Sequence, residues 1–133
     1  MRTIKLAVLA LILSTVTMFA QGQPQETKLP DLDITFQAGD LALVYQNLVT
    51  VDIKGTEAQA FVEVQNFLKP HIDKLIANKA KTDENVKITM GAQVANYLYE
   101  FTQRMTIKGG DAAMLVRFKT AILDAAKATK ATK

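Results

Sequence analysis

The sequence contains no cysteine, no tryptophan and a single histidine. Without cysteine the chain has no disulfide frame, no thiolate nucleophile and no cysteine-held metal. Asp73, the acid nearest to His71, lies two positions away and therefore off its helical face, which argues against a triad or a zinc site. Dinucleotide-binding, phosphate-loop, nucleophile-elbow and HExxH motifs are absent from the sequence as well. We therefore expect a protein that is not an enzyme and uses no cofactor or metal.

Excess charge of one sign is also lacking. The formal net charge of the whole chain is +3, and removal of Arg2 and Lys5 with the first twenty residues lowers it to +1. A nearly neutral chain gives no bulk electrostatic attraction for phosphate backbones or anionic surfaces. We therefore expect no nucleic-acid partner.

The first twenty residues have the layout of a secretory signal peptide. Arg2 and Lys5 precede an uncharged apolar stretch, residues 6–20, and the sequence becomes polar directly afterwards. The stretch is shorter than the roughly twenty apolar residues that a membrane-spanning helix needs. We expect cleavage near Ala20, export to the periplasm or the extracellular space, and only transient contact with the membrane. An uncleaved N-terminal anchor is the alternative.

The chain that remains has the size of one ordinary domain. Residues 21–33 contain two prolines and few apolar side chains, which predicts a flexible lead. Residues 34–126 are predicted to form a single helical domain, interrupted by a polar linker at 79–87. Residues 127–133 are predicted to form a basic tail.

The domain contains an internal repeat with an offset of 54 residues. Residues 34–62 and 88–116 share nine identities in 29 ungapped positions, among them the tripeptide IKG, where chance gives about two. Tyr45 and Tyr99 occupy equivalent positions. The match predicts a tandem duplication with units at 34–78 and 88–126.

Each unit is predicted to be a helix–turn–helix hairpin. Apolar residues at steps of three and four form one helical stripe in each copy: Leu41, Val44, Leu48 and Val51, and Met90, Val94, Leu98, Phe101 and Met105. Thr35 and Thr89 stand where N-caps are expected. Gly55 and Gly109 are predicted to form the hairpin turns with positive φ angles, and Thr56 with Gln59 fits a capping box at the next helix.

The predicted fold is therefore all-α, with two tandem hairpins packed as a four-helix bundle around one core. The alternative is an α+β fold with short strands at 48–53 and 103–108, because the first of these segments is rich in β-branched residues.

A cluster of aromatic residues supplies the candidate binding surface: Tyr45, Tyr97, Tyr99 and Phe101. Tyrosine combines apolar area with a hydrogen-bonding tip, as partner surfaces often require. We interpret the chain as a non-catalytic module that binds a protein partner or forms a homo-oligomer. The alternative is a carrier of a small apolar ligand, with a cavity between the two hairpins lined by Tyr45, Tyr99, Phe61 and Met105.

Overall fold

The computed structural model describes residues 29–131, so the predicted signal peptide lies outside the described residues. The chain forms a strand and two helices, and then the same elements again in the same order. These elements are β1 (Asp31–Gln37), α1 (Ala38–Leu48), α2 (Ala58–Ala77), β2 (Asn85–Gly91), α3 (Ala92–Gln103) and α4 (Ala112–Ala131). The fold is mostly helical with a small antiparallel sheet, which fits the alternative α+β class and corrects the prediction of a pure four-helix bundle.

Both strands lie outside the segments predicted for them. Segments 48–53 and 103–108 hold the last residues of α1 and α3 and then turn or irregular chain. Thr50, for example, donates its hydroxyl to the Asn47 carbonyl at 2.6 Å. The strands arise instead from DLDITFQ and NVKITMG, in which apolar side chains alternate with polar ones. Asp31 and Asp33, assigned by prediction to a flexible lead, therefore belong to β1.

The two strands pair with each other across a local twofold arrangement. Ile34 lies opposite Ile88, and these two residues are also equivalent in the 54-residue offset. The four described helices and both 3₁₀ turns, Gly55–Glu57 and Gly109–Asp111, begin at positions that keep the same offset. The structural halves thus match in order and spacing, while a tandem duplication as their origin stays a prediction.

Each strand continues directly into a helix. The first N–H of that helix donates to a carbonyl of the residue that precedes the opposite strand. Ala38 N–H donates to Glu84 O at 2.8 Å, and Ala92 N–H donates to Pro30 O at 3.3 Å. Neither α1 nor α3 has a side-chain cap. The prediction of Thr35 and Thr89 as caps is wrong, because both lie within strands, and Thr89 donates its hydroxyl to Asp33 instead.

One core is shared by the two halves. α1 packs against α4, and α2 packs against α3, so the first helix of each half contacts the second helix of the other. The sheet covers this core with its alternate residues Leu32, Ile34, Phe36, Ile88 and Met90. Phe36 stacks on Phe118 with ring centroids 4.4 Å apart. Within residues 29–131, no helix has the length and hydropathy to cross a membrane.

The turns before α2 and α4 differ from their predicted geometry. No glycine in the described chain has a positive φ angle, so Gly55 and Gly109 adopt conformations open to other residues. The predicted box of Thr56 and Gln59 is replaced by Glu57, whose carboxylate accepts the Lys54 N–H at 3.1 Å.

Candidate functional site

The more apolar of two grooves beside the predicted aromatic cluster lies between α3 and α4, and we call it the Tyr99 groove. Its volume is about 360 Å³, within the range of natural ligand sites. Leu29 is 55% exposed and Leu123 is 41% exposed, so the groove opens to solvent between two exposed leucines. Lys130 supplies a positive charge at the lining. Apolar side chains dominate the lining: Leu29, Leu32, Ala92, Tyr99, Ile122 and Leu123.

A smaller groove of about 240 Å³ holds Tyr45 and occupies the equivalent place in the first half. The polar residues Lys79 and Thr82 contribute to the lining of this Tyr45 groove, whereas Leu29 and Pro30 contribute to that of the Tyr99 groove. The larger and more apolar member of the pair is therefore the better candidate site. Six residues of the Tyr45 groove stand 54 positions before lining residues of the Tyr99 groove: Ala38, Ala42, Tyr45, Ile72, Leu75 and Ile76.

The structure separates the four aromatic residues that the sequence grouped. Tyr45 and Tyr99 each line a groove. Tyr97 is half-buried, and its hydroxyl accepts a hydrogen bond from Gln93 Nε2 at 2.8 Å. Phe101 is only 2% exposed and packs edge-on against Phe61 with centroids 5.6 Å apart. Phe101 is therefore a core residue, and the tyrosines remain as candidates for a binding surface.

The cavity predicted between the hairpins is not formed by the residues expected to line it. Tyr45 and Tyr99 line different grooves, Phe61 contacts Phe101, and Met105 is buried. The reason is that the halves interlock, so their interface becomes the packed core. The two grooves that hold Tyr45 and Tyr99 lie instead beside the first and second helices of one half.

An ion pair that sequence reasoning did not anticipate joins the halves. The Asp40 carboxylate, whose side chain is 3% exposed, accepts Arg117 Nε at 3.0 Å and Arg117 Nη2 at 2.8 Å. This two-point bond to Asp40 raises the pKa of Arg117 above its ordinary value. Asp40 lies in the first turn of α1, where a carboxylate also interacts favourably with the helix dipole.

A second polar link lies at the first 3₁₀ turn. Arg104 Nη1 donates to Glu57 Oε2 at 3.0 Å and to the Asp52 carbonyl at 3.3 Å. The Lys54 N–H and then Arg104 lower the pKa of Glu57, because both stabilise the ionised carboxylate. In both links an acid of the first half meets an arginine of the second, so these contacts hold the two halves together.

Candidate chemistry elsewhere is sparse in the described chain. Between residues 29 and 131, no three His, Asp or Glu side chains lie close enough together to hold a metal ion. His71 lies on α2 with its ring centroid 5.2 Å from that of Phe67. Asp33 accepts the Thr89 hydroxyl and lies 3.5 Å from Lys87 Nζ.

Sequence reasoning missed Leu29 and Leu123 as parts of the site. Leu123 lies beside Ile122, which is the buried residue of that turn of α4, and Leu29 lies in the segment predicted to be a flexible lead. The sequence signal for Leu123 was that this leucine lies outside the apolar stripe of its helix, which indicates an exposed side chain. Comparisons of the chain with protein-family models, curated proteins and solved structures find no match.

Proposed function

We propose that this chain is an exported, non-catalytic module that binds a protein partner through the Tyr99 groove. The observation that carries this proposal is an open apolar groove flanked by Leu29 and Leu123, two large side chains that remain substantially exposed. Contiguous exposed apolar surface of this kind is typical of interaction sites.

The groove favours an amphipathic helix as the partner segment. α3 and α4 form two of its walls, and because helical main-chain groups are already hydrogen-bonded, these walls offer side-chain contacts. A helical ligand satisfies its own main chain and presents apolar side chains at steps of three and four residues. An acidic residue on that helix would complement Lys130.

A test uses a helix-constrained peptide library panned against the chain from residue 21 onward. We expect enrichment of peptides with apolar residues at i, i+4 and i+7 and an acid at one end. Leu123→Glu places a charge in the groove and is expected to weaken the selected peptides by about tenfold or more. Val62→Glu is the matched control, because Val62 is also half-exposed but lies on α2.

Two outcomes would contradict this proposal. One is selection of peptides without helical spacing, and the other is equal binding to the Leu123→Glu and Val62→Glu variants. Either would mean that the groove does not recognise a helix.

Transport of a small apolar ligand is the second candidate function, since the groove volume of about 360 Å³ suits one. A carrier encloses most of its ligand, whereas this groove opens to solvent, which favours the protein partner. Native mass spectrometry of the chain purified from its own host separates the two, because a carrier retains a bound molecule and its added mass.

A further inference from the structure

A second groove, which we call the edge groove, runs between β1 and α4. Its volume is about 610 Å³. The edge groove shares no lining residue with the Tyr99 groove, so the two grooves are separate sites. One wall is β1, with Asp33, Thr35 and Gln37, and the other is α4, with Thr120, Asp124 and Ala128.

The ladder between the strands directs the main-chain groups of alternate β1 residues away from β2, and three of those residues, Asp33, Thr35 and Gln37, line the edge groove. The hydrogen bonds from Ala38 N–H to Glu84 O and from Ala92 N–H to Pro30 O lie at the two ends of the ladder and show which residue pairs are hydrogen-bonded. Residues of an antiparallel pair alternate between bonding their partner and pointing their N–H and C=O away from it. The even-numbered residues of β1 therefore bond β2, and its odd-numbered residues direct their main chain outward. In the described chain β1 has β2 as its single strand neighbour.

The α4 wall leaves space beside that open edge. α4 packs along β1, whereas α2 makes no comparable contact with β2. A helix therefore packs along β1, and no equivalent helix packs along β2 in the described chain. Four residues of α4 recur every four positions, form one stripe and line the groove: Val116, Thr120, Asp124 and Ala128. The equivalent positions of α2 carry Val62, Asn66, Pro70 and Lys74, the last of which has a longer side chain than its counterpart Ala128.

The charges of the groove favour a cationic occupant. Asp33, Asp40 and Asp124 line it with Arg117 as the basic residue, and Arg117 is engaged by Asp40. Lys87 lies 3.5 Å from Asp33 but is largely exposed and on the other strand. Three carboxylates against Arg117 and the exposed Lys87 leave the groove with a net negative charge, which attracts lysine or arginine and repels the phosphates of a nucleic acid.

We propose that the edge groove binds an extended, lysine- or arginine-containing protein segment, which pairs with β1 as a third strand. Added strands lie about 4.8 Å from their neighbour and gain affinity from main-chain hydrogen bonds. A single segment fits this geometry better than a second copy of the chain, because a strand from a second copy would bring its own sheet partner against α4.

The experiment pans a displayed library of random peptides of about ten residues, long enough to cover the seven residues of β1, against the chain from residue 21 onward. We expect enriched peptides to carry lysine or arginine at alternate positions. Two methylated versions of the best peptide are then synthesised. One is N-methylated at its odd-numbered amides and the other at its even-numbered amides. The version methylated at the amides that face β1 should bind more weakly by about tenfold or more, because those amides can no longer donate to β1. The version methylated at the other amides should bind normally.

Variants of the protein then locate the peptide. Asp124→Lys reverses a groove charge, and Thr120→Arg fills the groove, so each should weaken binding by about tenfold or more. Glu63→Lys is the matched control, since it makes the same charge change on an exposed face of α2 and should leave binding unchanged. Circular dichroism of each of the three variants serves as the control for folding.

Several results would overturn the proposal. They are the absence of any enriched basic peptide, equal binding by the two methylated versions, and full binding to Asp124→Lys or Thr120→Arg. Sedimentation that shows a homodimer disrupted by Thr120→Arg would assign the groove to a second copy and overturn it as well.

Discussion

At the scale of single residues, the most consequential contact is that of the buried Asp40 carboxylate with Arg117. The equivalent residues in the other half are Val94 and Glu63, so the pair exists once in the described chain. A buried charge is stable only when a partner and hydrogen bonds replace its water. The pair therefore fixes where α1 and α4 meet more than it adds net stability.

Removal of the Arg117 guanidinium should show how far the stability of the fold depends on this ion pair. In Arg117→Ala the buried Asp40 carboxylate loses its charged partner, and such an unpaired acceptor costs about 1–3 kcal/mol of unfolding free energy. Urea denaturation followed by circular dichroism measures the change. The control is Lys69→Ala, which removes an exposed ion pair with Asp73 and should change stability little. Equal effects of the two variants would show that Asp40 tolerates the loss.

His71 gives a prediction for pH. Partial burial, and then the charge of Lys74, lower its pKa in the folded chain below the ordinary value of 6.5. The unfolded chain therefore takes up the proton first as the pH falls, and unfolding free energy should decrease from about pH 6.5 downward. Because the sequence has one histidine, an NMR titration reports it without ambiguity. A midpoint at or above that of the urea-unfolded chain would contradict the prediction.

At the scale of elements, the start of α1 depends on a glycine that the sequence patterns did not single out. A Cβ on Gly39 would lie 3.0 Å from the Thr82 carbonyl oxygen and 3.1 Å from Thr82 Cβ. Gly39 N–H also donates to Thr82 O at 2.9 Å, so the connection to β2 is pressed against the first turn of α1. By contrast, a Cβ at Gly55 or Gly109 meets nothing within 4 Å.

The two kinds of glycine should respond differently to alanine. Gly39→Ala requires Thr82 to shift by a few tenths of an ångström and is expected to lower the unfolding free energy by about 1–3 kcal/mol. Gly109→Ala, in open space without a positive φ angle, is expected to be neutral or to stabilise by up to about 1 kcal/mol. Thermal denaturation of both variants measures the contrast. A destabilising Gly109→Ala with a neutral Gly39→Ala would reverse this assignment.

At the scale of the whole molecule, the two halves are interlocked and unlike. Each half contributes one strand to the sheet and packs its helices against the other half. The polar links run from acids of the first half, Asp40 and Glu57, to arginines of the second, Arg117 and Arg104. Neither half can bury its apolar face alone, and each is complementary to the other.

This complementarity predicts the behaviour of separated halves. Fragments 29–80 and 81–131 should each be largely unfolded at micromolar concentration and should form a folded one-to-one complex when mixed, because the core forms only from both. Circular dichroism measures the gain of helix, and native mass spectrometry measures the stoichiometry. A mixture that contains mainly homodimers would show that the acid–arginine links do not select the partner half, and a folded monomeric fragment would contradict the shared core.

Much of the architecture follows from local pattern. The apolar stripes at helical spacing in each copy, such as Val44 with Leu48 and Leu98 with Phe101, place the first helices within a few residues of their observed bounds. The 54-residue offset agrees with the equal order of elements in the two halves. The strands were not predicted at their observed positions, because the β-branched residues of 48–53 favoured a strand there. In DLDITFQ the apolar residues do alternate, but the segment follows a proline and includes two aspartates, which are uncommon in strands.

Features that depend on near neighbours along the chain could be predicted from the sequence alone. They are the predominance of helix and the approximate bounds of the first helix in each half. Three other features required the folded chain, namely the pairing of Ile34 with Ile88, the contact of Asp40 with Arg117, and the position of the grooves beside the core. The two contacts join residues more than fifty positions apart. Local periodicity carries no information on which of two equivalent helices a side chain will meet.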